Sequence, residues 1–163
     1  MNRRKFISIG LGVFVAAIIP SSLSAVNFRD TKPKAWSLMN PLKGKKVDAS
    51  SLNGINSAMK ELYGTSTVIE GKVKLKAPDI AENGALVPIT ISSDLNAKTV
   101  ALFQNANPEA TVAVFNVPAN GIVYYSLRIK MGQTGTVTAV VESGGKLYSA
   151  TRVVKVTKGG CGG

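Results

Sequence analysis

The sequence runs to 163 residues, 45% of them hydrophobic and 18% charged, with a net charge of +11, proportions that fit one globular domain with short extensions. It has one cysteine and no histidine, which excludes an internal disulfide framework, imidazole-ligated metal sites, the His-and-Cys set of a cupredoxin and every His-dependent catalytic triad. The basic residues are dispersed and have few aromatic neighbours, a pattern that argues against nucleic acid as partner and suits a solvated face or attraction of small anions and acidic proteins.

Asn2-Arg3-Arg4-Lys5-Phe6-Ile7 opens the sequence, and the stretch from Phe6 to Ile19 carries no charge. That run of about 14 residues is short of the roughly 20 a spanning helix needs, so residues 1–25 read as a cleavable export signal. Arg3 and Arg4, with Phe6 just beyond, point to the twin-arginine route and a periplasmic destination, although arginine pairs also occur in ordinary secretory leaders. Pro20 and the small residues Ser21, Ser22, Ser24 and Ala25 form the cleavage region. No cysteine stands there to take a lipid, so no membrane anchor is expected. Three of the 20 basic residues fall in this leader and none of the nine acidic ones does, which leaves +8 from residue 26 onward.

Residues 26–66 form an N-terminal extension. Its first part is irregular, with Pro33, Trp36, Pro41 and the basic cluster Lys43, Lys45 and Lys46. Between Asp48 and Tyr63 the apolar residues Leu52, Ile55, Met59 and Leu62 recur at three- and four-residue spacings, which predicts one amphipathic helix over about 48–63. Asp48, Ser50 or Ser51 can cap its start and Gly64 can end it.

From 67 to 158 the texture is β-branched runs broken by turn residues, as in all-β sandwiches. Seven strands are expected, near Val68–Lys76, Ala85–Ser92, Thr99–Gln104, Thr111–Val117, Ile122–Lys130, Gly135–Glu142 and Lys146–Thr157. Val123, Tyr125, Leu127 and Ile129 alternate onto one face of their strand, and Arg128 and Lys130 onto the other. Pro88 lacks the N–H of a ladder and belongs on an edge or at a bulge. Gly144-Gly145 predicts a tight hairpin between the last two strands.

The final strand leads into Gly159-Gly160-Cys161-Gly162-Gly163. Glycines on both sides of the thiol leave no side chain to pack, so Cys161 reads as presented on a flexible arm rather than buried, against the plainer reading of a frayed end. Three extended residues beyond Lys158 give it a reach of roughly 10 Å. A free thiol titrates near 8.5, which leaves a few per cent thiolate at neutral pH, and the segment offers no base of its own. A disulfide oxidoreductase needs a second, resolving cysteine. What a mobile thiol without catalytic machinery suits is covalent carriage of a group.

Three stretches resemble the SoxY family of bacterial sulfur carriers: Val154-Lys155-Val156-Thr157-Lys158 running into the Gly-Gly-Cys-Gly-Gly ending, Ile80-Ala81-Glu82-Asn83-Gly84 followed by Val87-Pro88-Ile89, and Arg128-Ile129-Lys130-Met131-Gly132-Gln133-Thr134. The twin-arginine leader is also typical of it. The resemblance implies an immunoglobulin-like antiparallel β-sandwich that pairs with a SoxZ-like β-sandwich subunit as a heterodimer in the periplasm. It implies that thiosulfate-derived adducts are carried on Cys161. A c-type cytochrome complex would conjugate thiosulfate to that thiol, and a hydrolase would release sulfate. The chain itself would be neither an enzyme nor a holder of cofactor or metal. Read without the resemblance, Asn83-Gly84 and Met131-Gly132 are turns. Two other readings remain open: an exported, adhesin-like sandwich joined through an intermolecular disulfide, and a thiol enzyme, which the missing histidine and base disfavour.

Overall fold

β-Branched residues recur from Thr65 onward, and they build an all-β body behind one helix. The computed structural model describes residues 52–157. In chain order these hold α1 (Asn53–Tyr63), β1 (Ile69–Glu70), β2 (Lys74–Lys76), β3 (Ile80–Ala81), β4 (Val87–Ser93), β5 (Thr99–Gln104), β6 (Thr111–Asn116), β7 (Val123–Ile129), β8 (Gly135–Ser143) and β9 (Lys146–Val156). The larger sheet runs β1-β9-β8-β5-β6, with β3 also against β9, and the smaller runs β2-β4-β7. Their facing surfaces enclose the core expected of a sandwich. Val87, Ile89 and Ile91 meet Val100, Leu102, Val137 and Val141 there, all fully buried, and each such side chain is worth about 1.5–3 kcal/mol.

The seven expected runs are all present, and the structure adds detail at the first of them. The stretch read as one strand over Val68–Lys76 is two short strands in different sheets. Gly71 at φ 101° and Lys72 at φ 57° turn the chain between β1 and β2, a conformation open to glycine and uncommon for lysine. A further strand, β3, is only two residues long, too short for any alternation to mark. Both β1 and β3 pair with β9 in parallel, while the other ladders are antiparallel. The chain crosses to the smaller sheet as β2 and returns as β3, so both short strands reach β9 running in its own direction.

The helix forms where its apolar stripe predicts. Ile55, Ala58, Met59 and Leu62 are buried against Ala101, Phe103, Val140 and Leu147 on the outer face of the larger sheet. β5 is consequently buried on both faces, as is β8 up to Glu142. Gly64 ends the helix at φ 74° with its N–H donated to the Lys60 carbonyl at 2.8 Å, the left-handed cap that glycine favours. Leu52 stands at the N-cap without a side-chain bond. The expected caps Asp48, Ser50 and Ser51 lie outside the described residues, as do Trp36 and the lysine cluster.

Two turn-residue expectations come out differently. Gly144 and Gly145, at φ 58° and 71°, close the two-residue hairpin between Ser143 and Lys146 with the two positive φ angles a type I′ turn requires. Pro88, by contrast, sits on neither an edge strand nor a bulge. β4 is the middle strand, and its ladder to β7 runs unbroken from Val87–Ile129 to Ser93–Val123. The proline is tolerated because the ladder to β2 stops at Lys76–Thr90, so at Pro88 the strand has a neighbour on one side only.

Candidate functional site at the mount of the C-terminal segment

Cys161, its flanking Gly159, Gly160, Gly162 and Gly163, and the leader residues Arg3 and Arg4 lie outside the described residues. What the structure describes is the platform from which the cysteine-bearing segment departs. Because β9 is eleven residues long and pairs with β8 along nine of them, its far end is held as firmly as its start. Three successive backbone donors are engaged there. Lys155 N–H reaches the Asp79 carbonyl at 2.9 Å, Val156 N–H the Thr134 hydroxyl at 3.0 Å, and Thr157 N–H the Ala81 carbonyl at 3.2 Å. The chain is therefore pinned on both flanks through Thr157.

The two turn stretches that resembled the SoxY family meet at this point. Asn83 closes its own turn by accepting the Ala85 N–H on its side-chain oxygen at 2.9 Å, the local bond that suits asparagine to turns. The next residue, Gly84, accepts the Met131 N–H on its carbonyl at 2.7 Å. A Cβ at Gly84 would lie 2.2 Å from the Met131 carbonyl oxygen and 2.8 Å from a Val156 methyl. Close approach, and not a positive φ, is why glycine stands here. The structure thus brings 80–84, 128–134 and the end of β9 into one contact.

A further segment, which the sequence reading did not single out, braces the platform. The side chain of Asn107 accepts the Gly132 N–H at 2.9 Å and donates to the Lys130 carbonyl at 2.7 Å. Asn105 accepts the Thr136 N–H on its side chain at 2.7 Å, and Gln133 donates to the Ala106 carbonyl at 3.3 Å. Gln104, 2% exposed, donates to the Glu109 carbonyl and accepts the Asn107 N–H. The Asn105-Ala106-Asn107-Pro108 run was legible as a turn, but nothing local told which loop it would hold.

Beside this brace a cleft of about 550 Å³ opens between the edge strands β6 and β7, with Gln104, Asn107, Glu109, Thr111, Arg128 and Lys130 in its walls. Arg128, Lys130 and Glu109 are all exposed, so the mouth carries two cations to one acid. Among the described residues no three His, Cys, Asp or Glu groups converge as a metal site would require. The arrangement therefore offers a rigid mount beside this cleft.

The family model described as "Sulfur oxidation protein SoxY" matches residues 59–161, a span that begins within α1 and includes Cys161. Among solved structures, the chain is similar to the sulfur carrier protein SoxY from Chlorobium limicola f thiosulfatophilum. Identity is 38% and the TM-score 0.61, over 66% of this chain and 100% of that one. It is also similar to a superoxide reductase (neelaredoxin) from Ignicoccus hospitalis, at 17% identity and a TM-score of 0.43 over 53% of this chain and 80% of that one. No curated protein matches the chain.

Proposed function

The chain belongs to the SoxY family of sulfur carriers, and from that membership we propose that it carries the intermediates of periplasmic thiosulfate oxidation covalently on Cys161. The observation that carries this reading is that the family match extends to the cysteine, four residues past the last pinned backbone position. At about 3.5 Å per extended residue, four residues let the thiol travel roughly 14 Å from Thr157. The glycines Gly159, Gly160, Gly162 and Gly163 keep the arm thin enough to enter a partner's cleft. Arg3 and Arg4 direct export by the twin-arginine route.

The chemistry divides between carrier and partners. The Cys161 thiol and thiosulfate join through a new S–S bond, and one proton and two electrons leave, the electrons passing to the haems of a c-type cytochrome complex. A hydrolase then adds water to the terminal sulfonate. Sulfate departs with two protons, and a persulfide anion remains on the cysteine. A SoxZ-like β-sandwich subunit completes the carrier as a heterodimer. Substitution Cys161→Ser tests the assignment: in a system reconstituted with these partners, thiosulfate-dependent sulfate release falls to background, and intact-mass measurement finds an adduct on the native chain alone. Sulfate release that survives the substitution would overturn the reading.

A further inference from the structure

Among the described residues nothing covers the outer face of the smaller sheet, and the charges on its strands are of one sign. Its rows follow from the register: Lys74, Ser92 and Tyr124 lie side by side, then Lys76, Thr90 and Ser126, then Pro88 and Arg128. β2, β4 and β7 carry three cations and no acid, and Lys130 follows directly after β7. A sheet face that serves only solubility gains from mixing signs, since opposite charges across strands attract and like ones repel. The larger sheet shows such mixing where Arg152 meets Asp79 at 3.8 Å. Among the described residues no ion pair joins the cations of the smaller sheet to an acid: Asp79, three residues after Lys76, pairs with Arg152 instead, and Asp94 lies beyond the end of β4.

The position of the face matters as much as its sign. Its Arg128 end abuts the platform: the Val87–Ile129 pair closes the ladder, and the Met131–Gly84 bond follows at once, with Val156 against Gly84. A protein resting on the face would have the cysteine-bearing segment leave β9 beside it. We infer that this face is the docking surface for an acidic patch on a partner protein that acts on the cargo, an inference that rests on the carrier reading. Permanent subunits bury contiguous apolar interface cores, whereas the apolar side chains of this face are split between its two ends, Leu86 with Pro88 at one and Ile122 with Tyr124 at the other, with lysine, arginine and hydroxyl groups between. It suits a transient, charge-steered encounter, in which one carrier visits several partners in turn. A membrane would require apolar side chains to insert, and single-stranded nucleic acid a stacking platform, for which Tyr124 is the sole aromatic residue here.

The test measures docking without chemistry. The Cys161→Ser chain, with its SoxZ-like partner, is titrated with the purified conjugating complex and with the purified hydrolase at low and high ionic strength. Neutralising the face with Lys74→Gln, Lys76→Gln and Arg128→Gln is expected to weaken binding to at least one of them about tenfold at low ionic strength. The melting temperature should stay unchanged, and Lys146→Gln at the opposite end of β9 should leave affinity as it was. Unchanged affinity of the triple variant for both partners, or tighter binding to phosphatidylserine vesicles or heparin than to either protein, would overturn the inference. Because the thiol is absent throughout, failure of the carrier reading appears only in the separate sulfate-release assay.

Discussion

Phe103 and Tyr124 are both aromatic residues on the outward faces of their sheets, yet Phe103 is fully buried and Tyr124 is 67% exposed. The difference is α1. Its apolar stripe covers the larger sheet, and β5 and β8 become interior strands buried on both faces, although β8 turns Thr136, Thr138 and Glu142 as well as Val140 to the outer side. The smaller sheet has no such cover among the described residues, and β7 keeps the alternation of a half-buried strand. Among the described residues one outer face is thus covered by a helix and the other is open to solvent.

Truncating the two aromatics is the strongest test of that division. Phe103→Ala removes a large side chain from between helix and sheet and is expected to cost about 3–5 kcal/mol, read as a fall in the urea midpoint. Tyr124→Ala should stay within about 0.5 kcal/mol. A comparable loss at both sites would mean that the smaller sheet is covered too. A smaller effect is expected where the sheets join. In Gly84→Ala the new methyl must displace the Met131 carbonyl or Val156, an overpacking cost of about 1–3 kcal/mol. Amide exchange at Val156 and Thr157 should quicken more than exchange within β5, showing that the end of β9 has loosened. Uniform quickening would mean that the platform is no separate unit.

Much of this architecture was legible because burial has a period. The helix stripe at Ile55, Met59 and Leu62 and the alternation from Val123 to Ile129 each announce a face, and Thr99–Gln104 was bounded correctly by β-branched content. The apolar run of β5 showed a strand but not what lay on either side, since burial on both faces erases the alternation. β8 alternates Thr136, Thr138 and Glu142 with Val137, Ala139 and Val141 as a half-exposed strand would, yet all six are buried. The split at Gly71-Lys72 and the short β3 depend on where the chain crosses between sheets, which no local pattern encodes. The platform was legible only in part. The resemblance marked 80–84 and 128–134, yet that these turns meet each other and Val156 is a backbone approach between distant segments, visible in sequence only as two glycines. Asn107 is similar, an ordinary turn residue whose partners, Lys130 and Gly132, are more than twenty residues away.

The covered face also holds a polar group whose energetics can be measured. Tyr63, near the end of α1, shares a hydrogen bond with the Thr99 hydroxyl at 3.1 Å, and Thr99 donates to the buried Glu142 carboxylate at 3.0 Å. Burial raises the affinity of the Tyr63 phenol for its proton well above the ordinary value; the nearby Glu142 charge adds to this, and the Thr99 bond opposes it. An unfolded tyrosine releases its proton near pH 10. Above that pH the unfolded chain gives up a proton that the folded chain keeps, so the contribution of Tyr63 to stability is complete below pH 10 and shrinks as pH rises, by up to about 1.4 kcal/mol per unit. Tyr63→Phe loses a hydrogen bond worth about 1 kcal/mol but escapes this penalty. Urea midpoints from pH 8 to 11 should show the variant less stable by that amount at pH 8, with the gap closing near pH 11. A gap that stays constant across the range would mean that the phenol is open to solvent, and that α1 covers the sheet less completely than the burial of Phe103 implies.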